Sequence, residues 1–314
     1  MLRIVFALIS LWFLAGCSNL SYYSQAVGGH LQVMQAARPI DEVLADSTTG
    51  SELKVRLERV KEIRDFASRQ LGLPDNRSYR SFADLGRPFV VWNVAATDEL
   101  SLTPKTWCMV VVGCVSYRGF YDRKEAEQFA AELRQQGFDT HVGGVPAYST
   151  LGYFNDPVLN TFLRFGEAEV ARLIFHELTH QLVFAEGDTA FNESLATAVE
   201  NEGVRRWFER HAAPAKVVAF EQQQQRKARF SGLVAGCRER LDRLYASNLP
   251  SAEKRLAKAR LLDQLRHDYA LAKAEWGGFD GYDKWFAEDL NNAKIASLAP
   301  YSQLVPAFEA MLAE

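Results

Sequence analysis

His176-Glu177-Leu178-Thr179-His180 lies inside Glu167–Phe184, a stretch whose apolar residues recur at helical spacing. On a helix, residues four apart share one face, so both imidazoles can reach a single ion. Glu177 projects beside them, where a carboxylate can take a proton from metal-activated water. A strand would allow neither arrangement. The segment therefore predicts a helix that holds one zinc ion through His176 and His180, with Glu177 as general base.

A hydrolytic zinc takes three protein ligands and keeps a fourth position for water. Val183 and Glu186 stand where the longer H-E-x-x-H-x-x-G-x-x-H pattern places Gly and His, which excludes that class. The third ligand must come from further along. Glu186-Gly187-Asp188 reads as a turn, with Gly187 closing one helix and Asp188 capping the next, which carries Phe191–Glu200. Folding the chain back at Gly187 sets His180, seven residues before it, level with Glu193, six after it. Glu200, thirteen residues past the turn, falls opposite His176 and shares a helix face with Glu193 and Thr197. Glu193 is then the natural third ligand. Glu200, with Thr197 beside it, is an alternative ligand or the group that orients His176 from behind. The order Asn192-Glu193 is similar to that of thermolysin-like and aminopeptidase-like zinc enzymes, which favours Glu193.

The 314 residues are 48% hydrophobic and 24% charged, as in an ordinary globular protein, and the net charge of -3 without a long basic run excludes nucleic acid as a partner. Met1-Leu2-Arg3 followed by the apolar run Ile4–Leu14 predicts a signal peptide over 1–16. Leu14-Ala15-Gly16-Cys17 resembles a bacterial lipobox, which implies lipidation of Cys17 and a lipid-anchored tether over 17–24, the chain's one expected contact with membrane. Ser18, by the same resemblance, implies an outer-membrane lipoprotein of the cell envelope facing the periplasm. Disulfides persist there. Cys108 and Cys114 are expected to pair through a bend near Gly113, against the alternative of two buried thiols in a strand; Cys237 has no evident partner.

Residues 25–314 are expected to form one domain of the α+β class, predominantly helical. A helical part spans 25–88, with helices at 25–37 and 51–72. A core spans 89–210, with strands at 89–95, 108–117 and 138–142 and a helix at 122–136. A second helical part spans 211–314, where 213–276, broken near Asn248-Leu249-Pro250, reads as an antiparallel helical hairpin. Arg64, Arg77 and Arg80 are expected to be solvated.

Leu73-Pro74-Asp75-Asn76-Arg77-Ser78-Tyr79, Gly86-Arg87-Pro88-Phe89, Gly113-Cys114-Val115-Ser116-Tyr117, the H-E-L-T-H helix, Gly187–Glu200 and Asn291-Asn292-Ala293 together resemble the bacterial predicted-aminopeptidase lipoprotein family, grouped with the glutamate-type zincins. The resemblance implies a zincin-like catalytic core with a small β-sheet, one Zn2+ and a peptide substrate. It also implies that Val145–Tyr153 lines the cleft, with Tyr148 or Tyr153 contacting substrate or stabilising the oxyanion. Tyr117, Arg118, Tyr282, His211 and His267 are further, unranked candidates. Two rival readings stand beside it: a non-catalytic envelope lipoprotein with structural zinc, and a zinc amidase acting on some other amide. An aminopeptidase also needs an acidic pocket for the substrate's α-amine, and no sequence pattern assigns one.

Overall fold

The computed structural model describes residues 22–109, 113–298 and 304–313. The signal peptide, Cys17 and residues 17–21 of the tether lie outside the described residues, as do Val110–Val112 in the middle of a predicted strand. Helix α1 (22–36) leads through a two-residue strand β1 (Arg38–Pro39) and a short helix α2 (Ile40–Ala45) into α3 (Ser51–Leu71). Leu57, Val60, Ile63 and Phe66 form the apolar stripe that buries α3, and Gly72 ends it in the left-handed conformation, φ 68°.

Arg64 belongs to the same buried face, contrary to the expectation that it is solvated; Arg77 and Arg80 are exposed. Its guanidinium donates to the Ser78 carbonyl at 2.9 Å, Ser68 Oγ at 2.6 Å and the Pro74 carbonyl at 2.7 Å. It thus replaces water for the loop that leaves α3. Burial pulls its pKa down to about 10, which leaves it charged at neutral pH.

Two small sheets and a hairpin follow. Strand β2 (Ser81–Ala83) pairs antiparallel with β1 and parallel with β8 (Val158–Leu159), while β3 (Val91–Asp98) is the centre of a second sheet. The predicted strand at 108–117 is instead a hairpin, β4 (Trp107–Met109) and β5 (Gly113–Val115), closed by the Cys108–Cys114 disulfide across a Cα–Cα distance of 3.8 Å. Gly113 opens β5 at φ 71°, a conformation that favours glycine, and the expected Cys108–Cys114 pairing is present. Strands β6 (Arg118–Phe120) and β7 (Phe138–Val145) flank β3, both antiparallel, with Val91 opposite Val145 and Trp92 opposite Phe120. Helix α4 (Arg123–Gln135), capped by Asp122, covers the face bearing Trp92, Val94 and Ala96. The β1–β2–β8 sheet was not visible in sequence, because strands of two or three residues show no period.

Helix α5 (Asn160–Leu163) precedes the long helices α6 (Glu167–Leu182) and α7 (Thr189–Arg210), which pack on α3. Ile174, Phe175, Leu178, Val204 and Trp207 share one core with the α3 stripe. Helices α8 (Pro214–Ala246) and α9 (Ser251–Glu275) form the expected hairpin, with Cys237 buried and unpaired between them. Helix α10 (Asp283–Ala287) and α11 (Asn292–Ser297) close its apolar face, and α11 also packs on β3 and β7. Helix α12 (Val305–Ala313) lies on α7 through Phe308 against Phe191. The chain is thus mostly helical with small sheets, and none of the helices among the described residues is long and apolar enough to cross a membrane.

Arg64→Lys leaves three donors where a planar fork met several acceptors, so the urea midpoint should fall by the equivalent of about 2–3 kcal/mol. An unchanged midpoint would show that the loop does not depend on the guanidinium. His141, on β7, is held neutral by burial and by Lys294, its pKa lowered from 6.5 to about 4. The unfolded chain therefore binds the extra proton between those values, and stability falls as pH drops through that window, by up to about 3 kcal/mol. In His141→Phe this part of the acid-induced loss, read from denaturant midpoints at pH 7 and pH 4.5, should disappear.

Candidate metal centre

Helix α6 buries Val170, Ala171, Ile174, Phe175 and Leu178, which turns its other edge, carrying His176, Glu177 and His180, toward an open cleft. The helix stops at Val183, and the return to α7 is held by one side chain. Asn192 accepts from the Ala185 amide and donates to the Ala185 carbonyl, both at 2.8 Å. Gly187 turns the chain at φ 81°, and Asp188 caps α7 by accepting from the Phe191 amide at 2.9 Å. Further along, a Cβ on Gly203 would lie 2.6 Å from the Phe175 ring, so only glycine lets α7 approach α6 this closely.

This closure brings Glu193 to the histidine pair. His176 Nε2 is 3.1 Å from His180 Nε2 and 3.3 Å from Glu193 Oε2, and His180 Nε2 is 3.5 Å from Glu193 Oε1. Ligand atoms on a tetrahedral zinc at about 2.1 Å stand about 3.4 Å apart, close to the spacing of the two rings from each other and from one or the other Glu193 oxygen. Two imidazoles and a carboxylate are also the donor set that a hydrolytic zinc prefers. His180 is 7% exposed and Glu193 36%, so the cluster is sealed on the helix side and reachable from the cleft.

Glu200 stands behind this cluster. Its Oε2 is 2.7 Å from His176 Nδ1, while Arg172 donates to its Oε1 at 2.8 Å and to Glu169 Oε2 at 3.0 Å. Both Glu200 oxygens are therefore engaged away from the His180 and Glu193 atoms of the cluster, and the carboxylate fixes the ring whose Nε2 faces them. Burial disfavours a charged His176, yet Glu193 and Glu200 outweigh it and push its pKa up to about 10. The pocket thus favours a cation at this point. Thr197 is half-buried on α7 but is not a member of the cluster and does not line the cleft. Arg172, one turn before His176, was missed in the sequence, although its i−4 spacing placed it on the histidine face.

Glu177 differs from its neighbours: among the described residues it makes no hydrogen bond or salt bridge. Burial, with Glu193 and Asp156 adding repulsion, raises its pKa to about 7. It faces a cleft of about 800 Å3 between α6, the β6–β3–β7 sheet and the first turns of α1. Tyr148 lines that cleft; Tyr153 does not, being 87% exposed at the tip of its loop. The Tyr148 hydroxyl accepts from Tyr121 at 2.9 Å and contacts His30 Nδ1 at 2.7 Å. His30, Tyr22 and Tyr23 come from α1, whose Gly29 leaves room for the Tyr121 ring. Their role was not legible because α1 is distant in sequence. Of the unranked candidates, Tyr117 lines the cleft and Arg118 lies over the Tyr22 ring. Tyr282 stacks on Phe230 in the C-terminal core, and His211 bonds the Trp207 carbonyl.

A family model described as "Putative aminopeptidase" matches residues 21–314. The chain belongs to this aminopeptidase family. No curated protein and no solved structure gives a significant match. Membership makes the chain a peptidase by family name, and its His176–His180–Glu193 cluster could hold a metal ion.

Glu200→Gln keeps the volume but weakens the hold on His176, and metal affinity should drop about 10- to 100-fold in a competitive chelator titration, with an unchanged circular dichroism spectrum. Equal affinity would remove Glu200 from the site's support.

Proposed function

We propose that this member of the aminopeptidase family is a zinc-dependent peptidase, with His176, His180 and Glu193 as ligands and Glu177 as general base. The observation that carries this reading is an unpaired, half-buried carboxylate beside a three-ligand cluster that opens onto a cleft. Zinc bound there supplies a Lewis acid for the peptide carbonyl and acidifies the attacking water toward neutrality. Glu177 accepts the proton of that water and returns it to the leaving amine; a carboxylate near pH 7 suits both transfers. Glu200 keeps His176 oriented throughout, and Tyr148, held by Tyr121 and His30, can offer its hydroxyl proton to the developing oxyanion.

The rival in which zinc is purely structural fits less well. A structural site closes its coordination with a fourth protein ligand and needs no base. Cys17, by its lipobox-like context, would anchor the protein to the outer membrane with the cleft in the periplasm, where peptide substrates are met.

Glu177→Gln should retain one zinc per chain by metal analysis and lose about 10³-fold in kcat on internally quenched peptides, while Glu193→Ala should lose the zinc itself. Full turnover by Glu177→Gln would sink the mechanism. Zinc binding by the parent chain without peptide cleavage, but with cleavage of a cell-wall-type amide, would support the amidase reading instead.

A further inference from the structure

A peptidase that requires a free N-terminus must hold the substrate's α-ammonium, and a carboxylate is the side chain that pairs most strongly with this cation. Among the described residues, the cleft around the metal cluster offers none to spare. Its acidic lining is Glu177 and Glu193, the one acting as base and the other as ligand. Two carboxylates lie just behind its walls and are both engaged. Asp156 accepts from the Thr150 amide and hydroxyl, each at 2.9 Å, and Glu200 is bound by Arg172 and His176. Outside the described residues, 1–21, 110–112 and 299–303 contain no Asp or Glu, and Glu314 is the one acidic side chain.

The cleft also does not end at the metal cluster. Asn93, Tyr117 and Val145 are shared with a neighbouring cavity of about 500 Å3 that continues over the sheet toward α8 and α11. The ionisable groups lining that cavity among the described residues, besides Tyr117, are His141 and Arg238, and none of them is an anion for an α-amine. A polypeptide can therefore extend past the ion where an aminopeptidase would need a closed, acidic end.

The remaining walls are uncharged. Tyr22 and Tyr23 come from α1, Tyr117 and Tyr121 from the chain beside β6, and Val91 and Val145 from the sheet. Tyr22 is immobilised by the Arg118 guanidinium, 4.0 Å from its ring centre, and by Phe120 at 5.9 Å. Rigid aromatic walls take aromatic and aliphatic side chains well, whereas a lysine or aspartate beside the scissile bond would be desolvated without a partner.

We infer that the site cleaves within uncharged, aromatic or aliphatic stretches of polypeptide and does not read the substrate's N-terminus, with Tyr22 and Tyr23 as specificity-determining residues. This inference rests on the peptidase reading and narrows it to a substrate class.

The test uses the zinc-loaded full chain and one internally quenched peptide, made with a free or an acetylated N-terminus and with Phe, Leu, Lys or Asp flanking the same bond. The acetylated and free peptides should be cut at rates within about threefold of each other, and Phe or Leu should exceed Lys or Asp by about tenfold or more in kcat/KM. Tyr22→Ala and Tyr23→Ala, made separately, should each raise KM for the Phe peptide about tenfold with zinc content unchanged. Cleavage that is lost on acetylation would overturn the inference while leaving the peptidase reading intact. Equal cleavage of the Lys and Phe peptides would overturn the assigned side-chain preference. If the zinc-loaded chain cuts none of the peptides, the peptidase reading falls and this inference with it.

Discussion

The two hydrogen bonds between Asn192 and Ala185 fix the register on which the metal cluster depends. Each neutral bond adds only about 1 kcal/mol to stability, but together they set where α7 begins relative to the end of α6. A shift of one residue along α7 would rotate its side chains by about 100° and carry Glu193 off the histidine face. Gly203 secures the same register from the far end, because the Phe175 ring occupies the space that any side chain would need. The candidate ligand cluster is thus built by a turn and a close helix approach, neither of which belongs to it.

Electrostatics then divides the acidic groups by partner. Glu193 and Glu200 face His176 from its two ring nitrogens, and Arg172 compensates Glu200. Glu200 stays ionised despite burial because His176 and Arg172 hold its carboxyl below the usual range. Glu177 has no such partner, so burial dominates and lifts it toward neutrality. One helix pair therefore presents a carboxylate at the candidate ligand cluster, a second that orients His176 and a third left unpaired on the same cleft.

Elements remote in sequence complete the cleft. Arg64 clamps the loop after α3, and Asn76 on that loop donates to Gln181 Oε1 at 2.7 Å, which ties it to the end of α6. Asp156 folds the Ser149–Asp156 loop on itself, and its carbonyl accepts from the Tyr79 amide. Helix α1 supplies His30, Tyr22 and Tyr23, so the last residues of the predicted 17–24 tether are helical and, with the segment that follows, form one wall of the candidate active site.

What was legible in sequence was local and periodic. The i, i+4 histidines, the Gly187 turn and the count of residues on either side of it placed Glu193 at the level of His180, because helix geometry converts spacing directly into position. The α8–α9 hairpin and the helical bias of the chain were visible for the same reason. Other features depended on contacts between segments far apart in the chain. Whether Arg64 is solvated or buried, whether Cys108–Tyr117 runs straight or folds into a hairpin, and which loop tyrosine lines the cleft are decided by what packs against them. Glu200 shows the boundary most clearly: its helix face was readable, but only the fold shows Arg172 occupying one oxygen and His176 the other, which fixes it behind the ring.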